Sequence, residues 1–387
     1  MASLPNNCKH MTEVKRSMES GRDRESDTRE CLAELHERGL GLESDYAFKI
    51  GRELDETGKE IPADVYWLRF PAAGVSELPV EGKLYLPSAE KARGEVVIFS
   101  PGYSGGKVGR FERTYAQALT EQGYAFAGLR HNSTSLIDQP EPVSVVNCET
   151  RLVDATETQQ KYLGPTKPNG YNHLDLAYEP ATALKSLAPW FKNVLALGHS
   201  FGSSAWLLSL DKLRRENDPS LDKVRQFLSL AGYLGRDEET SIGQFHGVKM
   251  PLDALVESEL SAAIEDNVAF VKETEQVKQS LRDLASNMEQ AEIPEHITQV
   301  LVSSPEDPII ASPVIKIRNE AGREVVSQYD YPGHTKRTLV VEDRTQERKF
   351  HTLPGLLPQT LVRLLAIEHP GKVPHFVAVT KKQPKAE

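Results

Sequence analysis

Three cysteines stand in 387 residues, Cys8, Cys31 and Cys148. An odd number so widely spaced builds neither a disulfide framework nor a metal site, so they are read as packing or surface thiols. Basic charge is also short. Lys and Arg number 46 against 56 Asp and Glu, a net charge of −10, and no basic stripe carries interleaved aromatics. A nucleic-acid partner is therefore not expected. No apolar run approaches the roughly 20 residues that cross a bilayer, so no membrane span is expected. The opening MASLPNNCKHMTEVKRSMES lacks the apolar centre of a secretory signal, which makes a cytoplasmic location the default expectation. Internal repeats and low-complexity tracts are missing.

The chain does have alternating strand and helix signals. Glu95-Val96-Val97-Ile98-Phe99-Ser100 is an almost continuous apolar run, the pattern of a strand buried on both faces. A helix is predicted from about Arg110 to Gln122, then a strand at Tyr124–Leu129. A further helix is predicted near Val146–Leu163 and another over Leu174–Phe191. Strands are expected at Asp64–Phe70, Gly82–Pro87, Asn193–Leu197, Phe227–Ala231, Val300–Ser304 and Val325–Tyr329, with a last helix over Leu357–Ile367. The alternation predicts an α/β protein, a mostly parallel sheet with helices on both faces. It stops between residues 236 and 297. There Leu255, Leu260, Ile264, Val268, Val271, Leu281 and Leu284 recur at roughly helical spacing, bracketed by Pro251 and Pro294. This stretch is expected as a helical cap insertion. The division expected is a polar extension over 1–60, a core over 61–235 and 298–370, the cap over 236–297 and a tail over 371–387.

The densest chemical signal is Gly198-His199-Ser200-Phe201-Gly202, a G-x-S-x-G pattern between a strand signal and the helix signal of Ser203–Leu210. Strand, sharp turn and helix around such a serine are the context of a nucleophile elbow. A serine hydroxyl needs a general base, and the base needs a third group to orient it. The order Ser, acid, His is supplied downstream. Ser303-Ser304-Pro305-Glu306-Asp307-Pro308 follows a strand, and Asp307 is the expected acid, with Glu306 and Asp237 as rivals. Tyr331-Pro332-Gly333-His334-Thr335 supplies His334 as the expected base, with His351 as the main alternative. The oxyanion donors expected are the N–H of Phe201, directly after the serine, and the N–H of Tyr103, in the loop after Ser100. This chemistry needs no metal and no organic cofactor.

With VVIFSPGYSGG, LALGHSFGSSA, VSSPEDPII and YPGHT in place, the chain resembles the α/β-hydrolases from about residue 62 to 370. Within them SPGYSGG, Leu129-Arg130-His131-Asn132-Ser133 and GHSFG are similar to dienelactone-hydrolase-like, polyester-hydrolase-like and platelet-activating-factor-acetylhydrolase-like esterases. Ser203 stands where the acetylhydrolases often carry a second glycine, and a D-x-x-G-x-G run is missing after Leu129. The resemblance implies a serine esterase acting on a small-molecule ester. A peptidase, amidase or acyltransferase on the same fold, and a noncatalytic binding protein, are the alternatives.

Overall fold

The computed structural model describes residues 24–44, 46–55, 58–71, 80–102, 109–130, 177–232, 244–245, 248–249, 283–284, 286–288, 290–304, 314–318, 324–329, 338–343, 358–367 and 376–379. In chain order these form α1 (Arg24–Glu37), β1 (Tyr46–Gly51), β2 (Ala63–Phe70), β3 (Val80–Pro87), β4 (Glu95–Ser100), α2 (Gly109–Glu121), β5 (Ala125–Arg130), α3 (Glu179–Leu187), β6 (Asn193–His199), α4 (Phe201–Arg215), β7 (Val224–Leu230), β8 (Gln244–Phe245), β9 (Val248–Lys249), β10 (Thr298–Ser303), β11 (Val314–Arg318), β12 (Glu324–Tyr329), β13 (Thr338–Asp343), α5 (Pro358–Leu365) and β14 (Phe376–Val379).

One ten-stranded sheet runs β1-β2-β3-β5-β4-β6-β7-β10-β13-β14. The pairings β1–β2, β2–β3 and β3–β5 are antiparallel, and every later one is parallel. All six residues of β4 are buried, as a strand covered on both sides requires. The chain leaves β4 to one side, for β5, and returns to the other side, for β6. A strand–helix–strand crossover is right-handed almost without exception, so crossovers running in opposite directions along a sheet lay their helices on opposite faces. This is what is observed. Tyr115, Ala116 and Leu119 of α2 and Leu361, Leu364 and Leu365 of α5 share one buried cluster with Val97, Phe99, Leu195 and Leu197. Ala205, Leu207 and Leu208 of α4, with Ala181 and Leu184 of α3, share the other with Val96, Ile98 and Ala196.

The edges of the sheet differ from the expectation. The first 60 residues read as a polar extension, yet α1 and β1 belong to the core structure. Leu35 is fully buried in the cluster that holds Tyr66, Leu68 and Phe70. Arg38 bonds Asp64 at 3.0 Å and Tyr66 Oη at 3.1 Å, and Tyr66 donates to Glu34 at 2.7 Å. The sequence signals a short amphipathic helix over Thr28–Leu40 ended by Gly39 or Gly41; α1 is that helix, beginning four residues earlier, and what the polar composition conceals is that it packs on the sheet. Leu35→Ala is expected to lower stability by about 2–5 kcal/mol, the usual cost of emptying a buried leucine site, read from urea unfolding. An unchanged midpoint would remove α1 from the core.

At the far edge β14 lies within the expected tail and pairs with β13, Val340 opposite Phe376. The strand expected at Val325–Tyr329 is real, but it is β12, and among the described residues it pairs with β11 in a separate two-stranded sheet. The sheet position beside β10 belongs instead to β13. Most of the expected cap, and the helix expected near Val146–Leu163, lie outside the described residues. Of the cap stretch, β8 and β9 pair antiparallel, and Leu284 and Met288 are fully buried in the cluster that also holds Ala205 and Leu208. Cys31 is buried in that same cluster. Burial, and then the charge of Glu34, push its thiol up to about 12, so it is no nucleophile at neutral pH.

Candidate active site

In an open α/β sheet, ligands bind beyond the carboxyl ends of the strands, where successive connections diverge to opposite sides. Here that point lies between β4 and β6. Two chain segments emerge there. One is Pro101-Gly102 after β4, and the other is the turn from β6 into α4.

Ser200 occupies that second turn. Its backbone sits at φ 52°, ψ −123°, outside the regions open to L-residues without strain. Its N–H donates to the Leu230 carbonyl at 2.9 Å, and its own carbonyl accepts from Ser203 N–H at 3.0 Å. Both bonds hold the turn in place. A serine before a helix ordinarily spends its hydroxyl capping the first backbone N–H groups. Ser200 makes no such bond. Strain of this kind costs on the order of 1–3 kcal/mol and persists where a site needs a side chain aimed. The half-buried Ser200 is thus presented at the strand end with its hydroxyl not committed to the helix.

The flanking glycines are required by close approach. A Cβ on Gly198 would stand 2.6 Å from Ser203 Cα, and one on Gly202 would run into the carbonyl oxygens of Ser100 and Pro101. Gly202 therefore lets the first turn of α4 lie directly on the end of β4. Gly102 closes the other side: its Cβ would lie 3.2 Å from both Ser200 Cβ and His199 Nδ1. Gly202→Ala is expected to push β4 and α4 apart, costing about 1–3 kcal/mol of stability as an overpacked site. Activity should fall with it. A variant as stable and active as the parent would refute the close packing.

The sequence places Ala231 at the end of a strand, but β7 ends at Leu230, and Ala231 and Gly232 turn away after it. Ala231 is at φ 45°, and its N–H donates to Val302 at 2.8 Å. A Cβ on Gly232 would lie 2.9 Å from Ser203 Cβ. With Ser203 in this contact, position 232 has no room for a side chain. Alanine carries no signature of a left-handed backbone, so only the following glycine hinted at this turn.

No family model and no curated protein matches the chain. Among solved structures it is similar to a CocE/NonD family hydrolase from Staphylococcus aureus, with TM-score 0.51 and 9% identity, over 86% of this chain and 56% of that one. The chain has the α/β-hydrolase fold. A hyperthermophilic esterase from Pyrobaculum calidifontis is also similar, with TM-score 0.38 and 13% identity over 75% of each chain. So is a dienelactone hydrolase from Anabaena variabilis, with TM-score 0.37 and 13% identity over 78% of this chain and 95% of that one. At 9% identity the likeness to the Staphylococcus aureus hydrolase speaks for the fold alone.

On this α/β-hydrolase sheet, two of the five expected site residues are placed, Ser200 and the buried Phe201 that opens α4. Tyr103, Asp307 and His334 lie outside the described residues, as do Glu306, Asp237 and His351. The strands that lead to them are described. Val302 pairs with Leu230, and Leu230 with His199, so Ser303 ends β10 level with Ser200 and two strands away. Among the described residues, no helix is long and apolar enough to cross a membrane, and no three His, Cys, Asp or Glu gather as a metal site.

Proposed function

We propose that this α/β-hydrolase is a serine hydrolase of carboxylic esters. The observation that carries the reading is Ser200: a non-glycine residue held at φ 52° on the switch point of the sheet, with its hydroxyl not spent on the helix behind it. In the proposed reaction, Ser200 Oγ attacks the ester carbonyl carbon as a histidine takes its proton. The carbonyl oxygen becomes an oxyanion, held by the N–H groups of Phe201 and Tyr103. Collapse breaks the bond to the alcohol oxygen, which leaves with the proton from the imidazolium. Water then attacks the acyl-enzyme, the histidine again taking and returning one proton, and the acid departs.

Asp307 is proposed as the acid orienting that histidine. It follows Ser303 by four residues, and Ser303 ends level with Ser200. For the base, the register of the described strands bears on the two candidates. Thr338 pairs with Gln299, Gln299 with Phe227, and Phe227 with Ala196, so β13 enters the sheet four residues below Ser200, about 13 Å at 3.3 Å per residue. His334 precedes that entry. Val341 shares the row of Val302, Leu230 and His199, so β13 leaves the sheet at the height of Ser200, and His351 follows its exit. The expectation of His334 rested on its following the last core strand, and β12 is not part of the core sheet. The register thus favours His351 as the base.

The test is a panel of p-nitrophenyl esters of rising acyl length beside the matching aminoacyl amides. Ester turnover well above amide turnover is expected. Turnover of amides alone would transfer the reading to an amidase, and acyl transfer to added alcohols without net hydrolysis would make it an acyltransferase.

A further inference from the structure

A second buried polar cluster lies on the α2 face of the sheet, three strands from Ser200. Lys83 of β3 donates to Glu53 at 2.8 Å and stands 3.9 Å from Glu112 in the first turn of α2. Tyr85 Oη lies 2.8 Å from Glu53 and 2.8 Å from Glu112. All four side chains are at least nine-tenths buried. The Glu112 carboxyl fills space that a side chain on Gly128 would occupy: a Cβ there would lie 2.8 Å from Glu112 Cδ. Burial, then the charges of Glu112 and Glu53, push the Tyr85 phenol well above its ordinary value, so its hydroxyl keeps its proton. Burial alone would raise the Glu53 carboxyl. The Lys83 charge, the hydrogen bonds from Lys83 and Tyr85 and the Arg113 charge together hold it below the usual range.

A glutamate in a helix's first turn ordinarily faces solvent or the helix's own N–H groups. Here Glu112 is turned into the sheet, onto Tyr85 and Lys83. The start of α2 is therefore pinned. Residues 103–108 are all that join it to Gly102, which lies against Ser200 and His199. This connection thus has one end on the elbow and the other on the buried cluster.

We infer that Tyr85 and Glu112 are positioning residues for the ester hydrolysis proposed above: by fixing the first turn of α2 on the sheet, they hold the Gly102 turn where oxyanion binding at Ser200 requires it. The inference rests on that proposed reaction. Neither residue touches the substrate. A displacement near 1 Å at the reacting centre lowers turnover by up to about 100-fold, whereas binding of the ester away from its carbonyl is unaffected.

Tyr85→Phe removes the hydroxyl that joins the two carboxyl groups and keeps the ring. Its kcat on a short p-nitrophenyl ester is expected to fall about 10- to 100-fold with KM unchanged. Inhibition by a trifluoromethyl ketone, which presents a tetrahedral oxyanion, should weaken by a similar factor. Leu35→Ala, on the opposite face, serves as the stability control and should lower the thermal midpoint without moving either quantity. If Tyr85→Phe behaves as Leu35→Ala does, the cluster is structural only and the inference fails. If Tyr85→Phe does not fold, Glu112→Met is read on the same two quantities, and failure of both to fold also overturns it. A parent that hydrolyses esters while Tyr85→Phe keeps its kcat defeats this inference alone. A parent with no ester turnover defeats the proposed function, and this inference with it.

Discussion

Ser200→Ala is expected to lower kcat/KM for ester hydrolysis by on the order of 10⁴- to 10⁶-fold, the scale on which serine hydrolases lose rate when the nucleophile alone is removed. The fold should survive. Alanine inherits the same φ of 52° and the same backbone bonds to Leu230 and Ser203, so the unfolding midpoint should stay close to that of the parent. Ser200→Gly adds a second reading. Glycine occupies this backbone region without the Cβ penalty, so it should be as inactive as Ser200→Ala yet more stable by about 1 kcal/mol. Loss of activity with a gain in stability is the signature of a residue held in strain for its chemistry. If Ser200→Ala retained turnover within tenfold, the strained turn would be a feature of packing and not of catalysis.

The second large effect concerns the base. His351→Ala is expected to lower kcat by on the order of 10⁴- to 10⁶-fold, because a serine without its base is almost as impaired as a base without its serine. His334→Ala should leave kcat near that of the parent. Steady-state kinetics of the two variants side by side decide the matter. A loss confined to His334→Ala would mean that the chain returns from β12 to the elbow before entering β13, against the direction the register implies.

The parts of this fold that are visible in the sequence are those with two-sided burial. β4 and β6 are short apolar runs ending in glycine-rich turns; β4 has the bounds its composition predicts, and β6 runs two residues past the expected Leu197. The edge strands are harder, because one flank is unpaired and polar residues intrude. β1 carries Lys49 among Tyr46, Phe48 and Ile50, in a stretch whose composition is that of a polar extension. β14 is only four residues long. β12 shows the complementary difficulty. Val325 and Val326 look like any core strand, and nothing local says that its partner is β11 rather than β10. That distinction is long-range, and it moves the favoured base from His334 to His351. The elbow itself was legible because G-x-S-x-G reflects contacts at 198 and 202 that admit no side chain. The strain at Ala231 and the pinning of Glu112 were not, since each depends on what the sheet brings opposite.

The central claim, that Ser200 is the nucleophile, is tested most directly by reacting the full-length protein with a fluorophosphonate and mapping the modified peptide by mass spectrometry. The expected result is one stoichiometric adduct on Ser200 and none on the Ser200→Ala variant. An adduct that persists in Ser200→Ala, or a parent protein that does not react, would contradict it.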